Sequence, residues 1–156
     1  MKQFITLLAC LALSVSFLSA QNTSRTTGDM SIVASAGYGT LGLGAGVSFD
    51  YTVLDFGNAG SLSVGGLASD SFERSTHVLL VGPMVTYRYP VSDSFELSAR
   101  TVLGYGLVFN EYASAGTFGR AVMAGATYYI SDKIGIGAEL GAGGVPNVSA
   151  HVVIRL

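Results

Sequence analysis

The stretch LGLGAGVSFDYTV, residues 41–53, alternates without a break. Leu41, Leu43, Ala45, Val47, Phe49, Tyr51 and Val53 are apolar, and Gly42, Gly44, Gly46, Ser48, Asp50 and Thr52 lie between them. A period of two is a β-strand whose two faces meet unlike surroundings. Asp50 sharpens the question, because its carboxylate must find water or a partner on the face it shares with Gly and Ser.

The same alternation fills the rest of the chain. Further strands are predicted over residues 30–38, 61–68, 77–89, 94–109, 118–130, 134–142 and 147–156, giving eight with no helical period among them. The third is the weakest, since Gly65-Gly66 interrupts its alternation and suggests a bulge. Turns or loops are predicted at 39–40, 55–60, 69–76, 90–93, 110–117, 131–133 and 143–146. A partial internal repeat, YPVSDSFELSAR (89–100) against YISDKIGIGAE (129–139), joins a strand end, a Ser-Asp turn and a new strand in each copy.

Composition narrows the class. Charged residues make up 12% of the 156, against about a quarter in soluble domains, while 49% are hydrophobic. After the first twenty residues there is no uninterrupted apolar run, so no helical span of about 20 residues is encoded there. A net charge of −2 gives no electrostatic case for nucleic acid. Residues 1–20, MKQFITLLACLALSVSFLSA, have Lys2, an apolar run and the small pair Ser19-Ala20, the pattern of a secretory signal peptide. A lipoprotein reading at LLAC, with Cys10 acylated, would leave an apolar core shorter than the usual 7–15 residues. Cleavage after Ala20 leaves a mature chain without cysteine, beginning with a polar, flexible lead over 21–29.

The fold class expected for residues 30–156 is all-β, an eight-stranded antiparallel up-and-down transmembrane β-barrel. Eight spanning strands of about ten residues fit the available length. A soluble sandwich would carry Lys, Glu and Thr on its polar face, whereas here that face carries Gly, Ser and Ala. Small side chains suit the crowded interior of a narrow barrel, and closure removes sheet edges that lipid cannot hydrogen-bond. With the N-terminus on the periplasmic side, the turns 55–60, 90–93 and 131–133 are periplasmic and 69–76 and 110–117 are the longer outer loops. Aromatics gather near strand ends, with Tyr51, Tyr87, Tyr89, Phe95 and Tyr128 below and Tyr38, Phe109 and Phe118 above.

Signal peptide, alternating strands, Ser-Asp turns and a final strand ending at the last residue together resemble the small outer-membrane β-barrel proteins of the OmpA/OmpX/OmpW type. The resemblance implies a Gram-negative outer-membrane location, contact with outer-membrane lipid, insertion by the barrel-assembly machinery and a monomeric, non-catalytic barrel without a cofactor. Members of that group usually end in an aromatic residue. Here HVVIRL ends in Leu156, which keeps the outward parity without the ring.

With the bulky positions facing lipid, parity sends Asp50, Arg88, Glu96, Arg100, Glu139 and Arg155 inward, with His151 beside them. A mid-membrane charge on the lipid face costs about 2–4 kcal/mol, whereas an interior network pairs its members. Hairpin arithmetic sets Arg88 opposite Glu96 and Glu139 opposite His151, and gives Asp50 a base among Arg88, Arg100 and Arg155. The expected role is a structural plug in a lumen that eight strands leave filled. Arg120 breaks parity toward the outside, where it can snorkel to the interface or meet a lipid phosphate. Pro83 removes one ladder hydrogen bond from a central strand.

Other signals carry less. GYGTLG at 37–42 matches a dinucleotide-binding spacing but precedes a strand where that site needs a helix. His77 near Asp70, Ser75 and Thr76 would suit a lipid-modifying barrel enzyme. Two histidines without a mature cysteine make a dedicated metal site unexpected. Asn22 and Asn147 head glycosylation-type triplets that a bacterial outer membrane leaves unused. The expected function is structural or surface-interactive, with OmpW-like passage of small hydrophobic molecules, a barrel enzyme and a soluble secreted β-domain as the rivals.

Overall fold

The computed structural model describes residues 25–40, 42–73, 76–109 and 114–156. The signal peptide over 1–20 with Cys10, residues 21–24, Ser75 and the centre of the 110–117 loop lie outside the described residues.

Among the described residues, eight strands close into one barrel. They are β1 Met30–Gly39, β2 Gly42–Asp55, β3 Ser61–Glu73, β4 Thr76–Ser92, β5 Phe95–Phe109, β6 Ser114–Tyr129, β7 Ile134–Gly143 and β8 Val148–Arg155. Each pairs antiparallel with its neighbour in sequence, and β8 returns to pair with β1. Closure leaves no strand with a free row of N–H and C=O groups, as a structure in lipid requires.

Alternation decides what each side chain meets. In β4, Leu80, Met84, Thr86 and Arg88 are buried inside, while Val81, Val85, Tyr87 and Tyr89 are exposed on the outer wall. The outer wall is predominantly apolar, reaching 65% exposure at Leu140 and 70% at Phe118. Soluble proteins rarely expose contiguous apolar patches above a few hundred Å², so this surface suits hydrocarbon. Phe95 pairs with Tyr128 near one end and Tyr105 with Phe118 near the other, part of an aromatic ring at each rim.

Several local expectations are corrected. β3 extends to Glu73 and keeps one parity through Gly65 and Gly66, so no bulge forms there. Gly65 instead permits close approach of β2, because a Cβ there would stand 1.9 Å from the Phe49 carbonyl oxygen. The register shifts fall at Thr52/Leu54 and Pro90/Ser92. The outer loops are also shorter than 69–76 and 110–117, because β3, β4 and β6 run into them. Ser69 and Ser71 misled by polarity: both are buried inside a strand.

Residues 25–29, expected in a flexible lead, fold against the barrel. Thr26 and Asp29 form a closed turn, Gly28 N donates to Thr52 O at 3.0 Å, and the Arg25 side chain enters the lumen with 2% exposure. A buried arginine that finds acids inside fixes the segment, whatever its local composition.

The loop-side half of the lumen is filled by Leu67, Leu80, Met84, Val102, Ala121, Met123 and Val145. Val145 and the buried Pro146 come from the β7–β8 turn, which folds into the mouth. Asn147 ties that turn down by accepting from Thr40 N at 2.6 Å and donating to Gly141 O at 3.2 Å. At Pro83 the β4–β5 pairing skips from Val81↔Tyr105 to Met84↔Val102 and resumes in step. The wall stays shut there, since a Cβ on Gly82 would lie 2.4 Å from the Gly104 Cα.

Candidate functional site

Inward parity and closure bring charges from separate strands into one lumen. Asp50 on β2 finds Arg88 on β4, with Nη2 2.5 Å from Oδ2, and accepts from Ser31 Oγ at 2.9 Å. Arg88 also donates to Ser63 Oγ at 2.9 Å and lies 3.3 Å from Glu96. Glu96 meets Arg25 at 3.0 Å, and Arg25 further donates to Ser31 Oγ at 3.1 Å and Tyr129 Oη at 2.6 Å. These five side chains (Asp50, Arg88, Glu96, Arg25 and Tyr129) are each at most 2% exposed and form a layer across the terminal end of the lumen.

A second cluster sits above it. Arg100 Nη2 lies 3.0 Å from Glu139 Oε1 without the alignment of a hydrogen bond, and His151 Nδ1 is 3.8 Å from the same oxygen. His151 Nε2 and Thr127 Oγ1 share a 2.8 Å hydrogen bond. Arg155 stands apart at the rim, paired with Asp29 at 3.4 Å and lying over the Tyr129 ring at 5.5 Å. Counting Arg25, Arg88, Arg100 and Arg155 against Asp29, Asp50, Glu96 and Glu139, the lumen balances four bases with four acids. Removing a member that is the sole partner of a buried acid, as Arg88 is for Asp50, strands a buried charge, which costs several kcal/mol.

The pairs predicted from hairpin arithmetic are off by one step of two residues. Arg88 is opposite Ser98 and Glu139 opposite Ser149, while Glu96 faces Pro90 and His151 faces Gly137. β4 runs on to Ser92, so the turn falls at 93–94 instead of 90–93, and β7–β8 pairing ends at Leu140↔Val148 with the turn inserted beyond it; both displace the registers. Long side chains span the offset, so both contacts survive diagonally. Arg25 and Tyr129 were missed. Tyr129 shares the inward parity of Thr127 and could have been found, but Arg25 precedes the first strand and carries no parity.

On the outer wall, Arg120 is exposed opposite Leu103. His77 Nδ1 and Asp70 Oδ2 are 3.5 Å apart on the outward face of β4 and β3, with His77 stacked on Phe72 at 5.9 Å. No group of three or more His, Cys, Asp or Glu is placed to hold a metal among the described residues.

No protein-family model matches the chain, and no curated protein does. Solved structures do. The N-terminal β-barrel domain of Pseudomonas aeruginosa OprF aligns over 85% of this chain and 100% of its own, with TM-score 0.63 and 13% identity. A de novo designed transmembrane β-barrel aligns over 86% of this chain and 100% of its own, with TM-score 0.57 and 21% identity. Ail, the attachment invasion locus protein of Yersinia pestis, aligns over 83% of this chain and 96% of its own, with TM-score 0.50 and 15% identity. The fold is that of the transmembrane β-barrels, in the small eight-stranded form seen in outer-membrane proteins.

Proposed function

We propose that this chain is an integral outer-membrane protein of a Gram-negative cell, acting as a sealed structural or surface-presenting barrel and not as a channel or an enzyme. The observation that carries the reading is the double closure of the lumen. A charge-paired layer spans the terminal end, from Asp50 through Arg88 and Glu96 to Arg25, and an apolar plug including Leu80, Met84 and Val102 fills the other. An ion would have to part both. Export by the 1–20 signal, insertion by the barrel-assembly machinery and a monomeric state belong to the same proposal. The interior network of Asp50, Arg88, Glu96, Arg100, Glu139, His151 and Arg155 is assigned a structural role.

Passage of hydrophobic molecules would need an opening in the wall, and the unpaired step at Pro83 is where it would lie. The close Gly82–Gly104 backbones argue against it. An enzyme would have to use the Asp70–His77 pair, which the proposal leaves without a catalytic task.

The test is fractionation followed by electrophoresis and planar-bilayer recording. The proposal expects the protein in the outer membrane, a mobility shift on boiling and no steady conductance. Steady conductance of the wild type would overturn the sealed barrel, and a soluble protein without a mobility shift would overturn the membrane assignment.

A further inference from the structure

Two features of the outer wall depart from its apolar rule: Asp70 and His77, which lie 3.5 Å from each other, and Arg120. Val122 and Ala124 follow it on the outward face of β6, yet Arg120 is a cation. It has no acid within salt-bridge distance among the described residues, whereas the lumen arginines are all paired.

The surroundings of Arg120 are shaped as well as charged. On one flank it faces Leu103, and one pair further toward the loops is the aromatic couple Tyr105–Phe118. Aromatic belts of this kind sit at headgroup level, where an outward arginine is tolerated at about 0–1 kcal/mol. On the other flank β7 stops at Gly143, and Gly144 N donates to the Arg120 carbonyl at 3.3 Å. A Cβ on Gly143 would stand 2.1 Å from that carbonyl oxygen, so this side carries no side chain.

Beginning one outward position along β6 from Arg120, the pairs Val122↔Ala142, Met123↔Gly141 and Ala124↔Leu140 line a shallow trough of about 320 Å³. Only these two strands contribute to it, so it opens outward. The next outward pair, Ala126↔Ala138, continues the low floor. Its volume is at the small end of ligand pockets, too open to engulf a compact molecule but wide enough to seat an alkyl chain.

We propose that this face binds one phosphorylated, acylated lipid of the leaflet on the loop side, with its phosphate on Arg120 and one acyl chain in the β6–β7 trough. The assignment rests on the membrane reading above. Charge complementarity selects the occupant, because an outward arginine one position along the strand from an apolar trough matches a phosphate attached to hydrocarbon, and Arg recognises phosphate in bidentate fashion.

The experiment uses the full mature chain refolded in detergent micelles and titrated with diphosphoryl lipid A, with binding read by native mass spectrometry. Dephosphorylated lipid A is the control ligand. Arg120→Gln should weaken diphosphoryl lipid A at least about tenfold, as loss of a charged hydrogen bond does, and leave the control ligand unaffected. Ala142→Leu, which fills the trough, should weaken both. Equal affinity of wild type and Arg120→Gln, or equal affinity for the two lipids, would overturn the site. Unheated gel mobility separates the two failures: a chain with no heat-sensitive barrel refutes the membrane reading, whereas a folded barrel without discrimination refutes this site alone.

Discussion

Replacing Arg88 with Met should be the most damaging single change in the lumen. Arg88 is 2% exposed and neutralises two acids, Asp50 at 2.5 Å and Glu96 at 3.3 Å. Glu96 would retain Arg25 at 3.0 Å and the Tyr129 hydroxyl at 3.3 Å. Asp50, fully buried, would keep only Ser31 Oγ at 2.9 Å. One carboxylate is thus stranded, and breaking a buried pair in this way costs about 3–5 kcal/mol. Arg25→Ala strands neither acid, since Glu96 keeps Arg88, so its cost should be nearer 1–3 kcal/mol, roughly that of unmade buried hydrogen bonds. Asp50→Leu combined with Arg88→Met removes both charges and should cost less than Arg88→Met alone. Urea unfolding in lipid vesicles, scored by unheated gel mobility because the chain has no Trp, measures five proteins: wild type, Arg88→Met, Arg25→Ala, Asp50→Leu and the double variant. An Arg88→Met barrel within about 1 kcal/mol of wild type would refute the pairing argument, as would a double variant costing the sum of its singles.

Other outcomes follow from local geometry. Gly65→Ala should destabilise by about 2 kcal/mol or more through overpacking, because its Cβ would collide with the Phe49 carbonyl, while Gly66→Ala meets nothing nearer than 3.7 Å and should be close to neutral; the same urea assay compares them. Asn147→Ala should release the inserted β7–β8 turn, seen as faster hydrogen exchange at the Thr40 amide that Asn147 now holds at 2.6 Å. Pro83→Val should restore a ladder donor and raise stability by about 0.5–1.5 kcal/mol, read as a higher urea midpoint. A lower midpoint would mean that the β4–β5 approach at Gly82 and Gly104 depends on proline.

What could be read from sequence was what parity carries. One face bulky and one face small, repeated eight times, leaves a closed barrel as the consistent solution, and it sends Asp50, Arg88, Glu96, Arg100, Glu139, His151 and Arg155 inside together. Register was less legible. Pro90 and Ser92 read as a turn by composition, yet β4 continues through them to a turn at 93–94, so cross-strand partners came out two residues away. Ser69 and Ser71 looked like loop because lumen-facing and water-facing serines are the same in a sequence. Arg25 was illegible for a different reason: its place is set by Glu96 and Tyr129, which are remote in sequence and meet only in the closed barrel.

That last fact bears on the order of assembly. Arg25 precedes β1, yet its partner Glu96 lies 71 residues later on β5 and Tyr129 still further on, at the end of β6. The seat for the first described residue is therefore built from late strands, and no early hairpin can offer it. Ser31 and Asp50 are available once β1 and β2 pair, but they supply neither Glu96 nor Tyr129. The seat of Arg25 is complete only when β1, β5 and β6 have come together. Seating of Arg25 thus seals the terminal end of the lumen only once strands from both halves of the chain are in place.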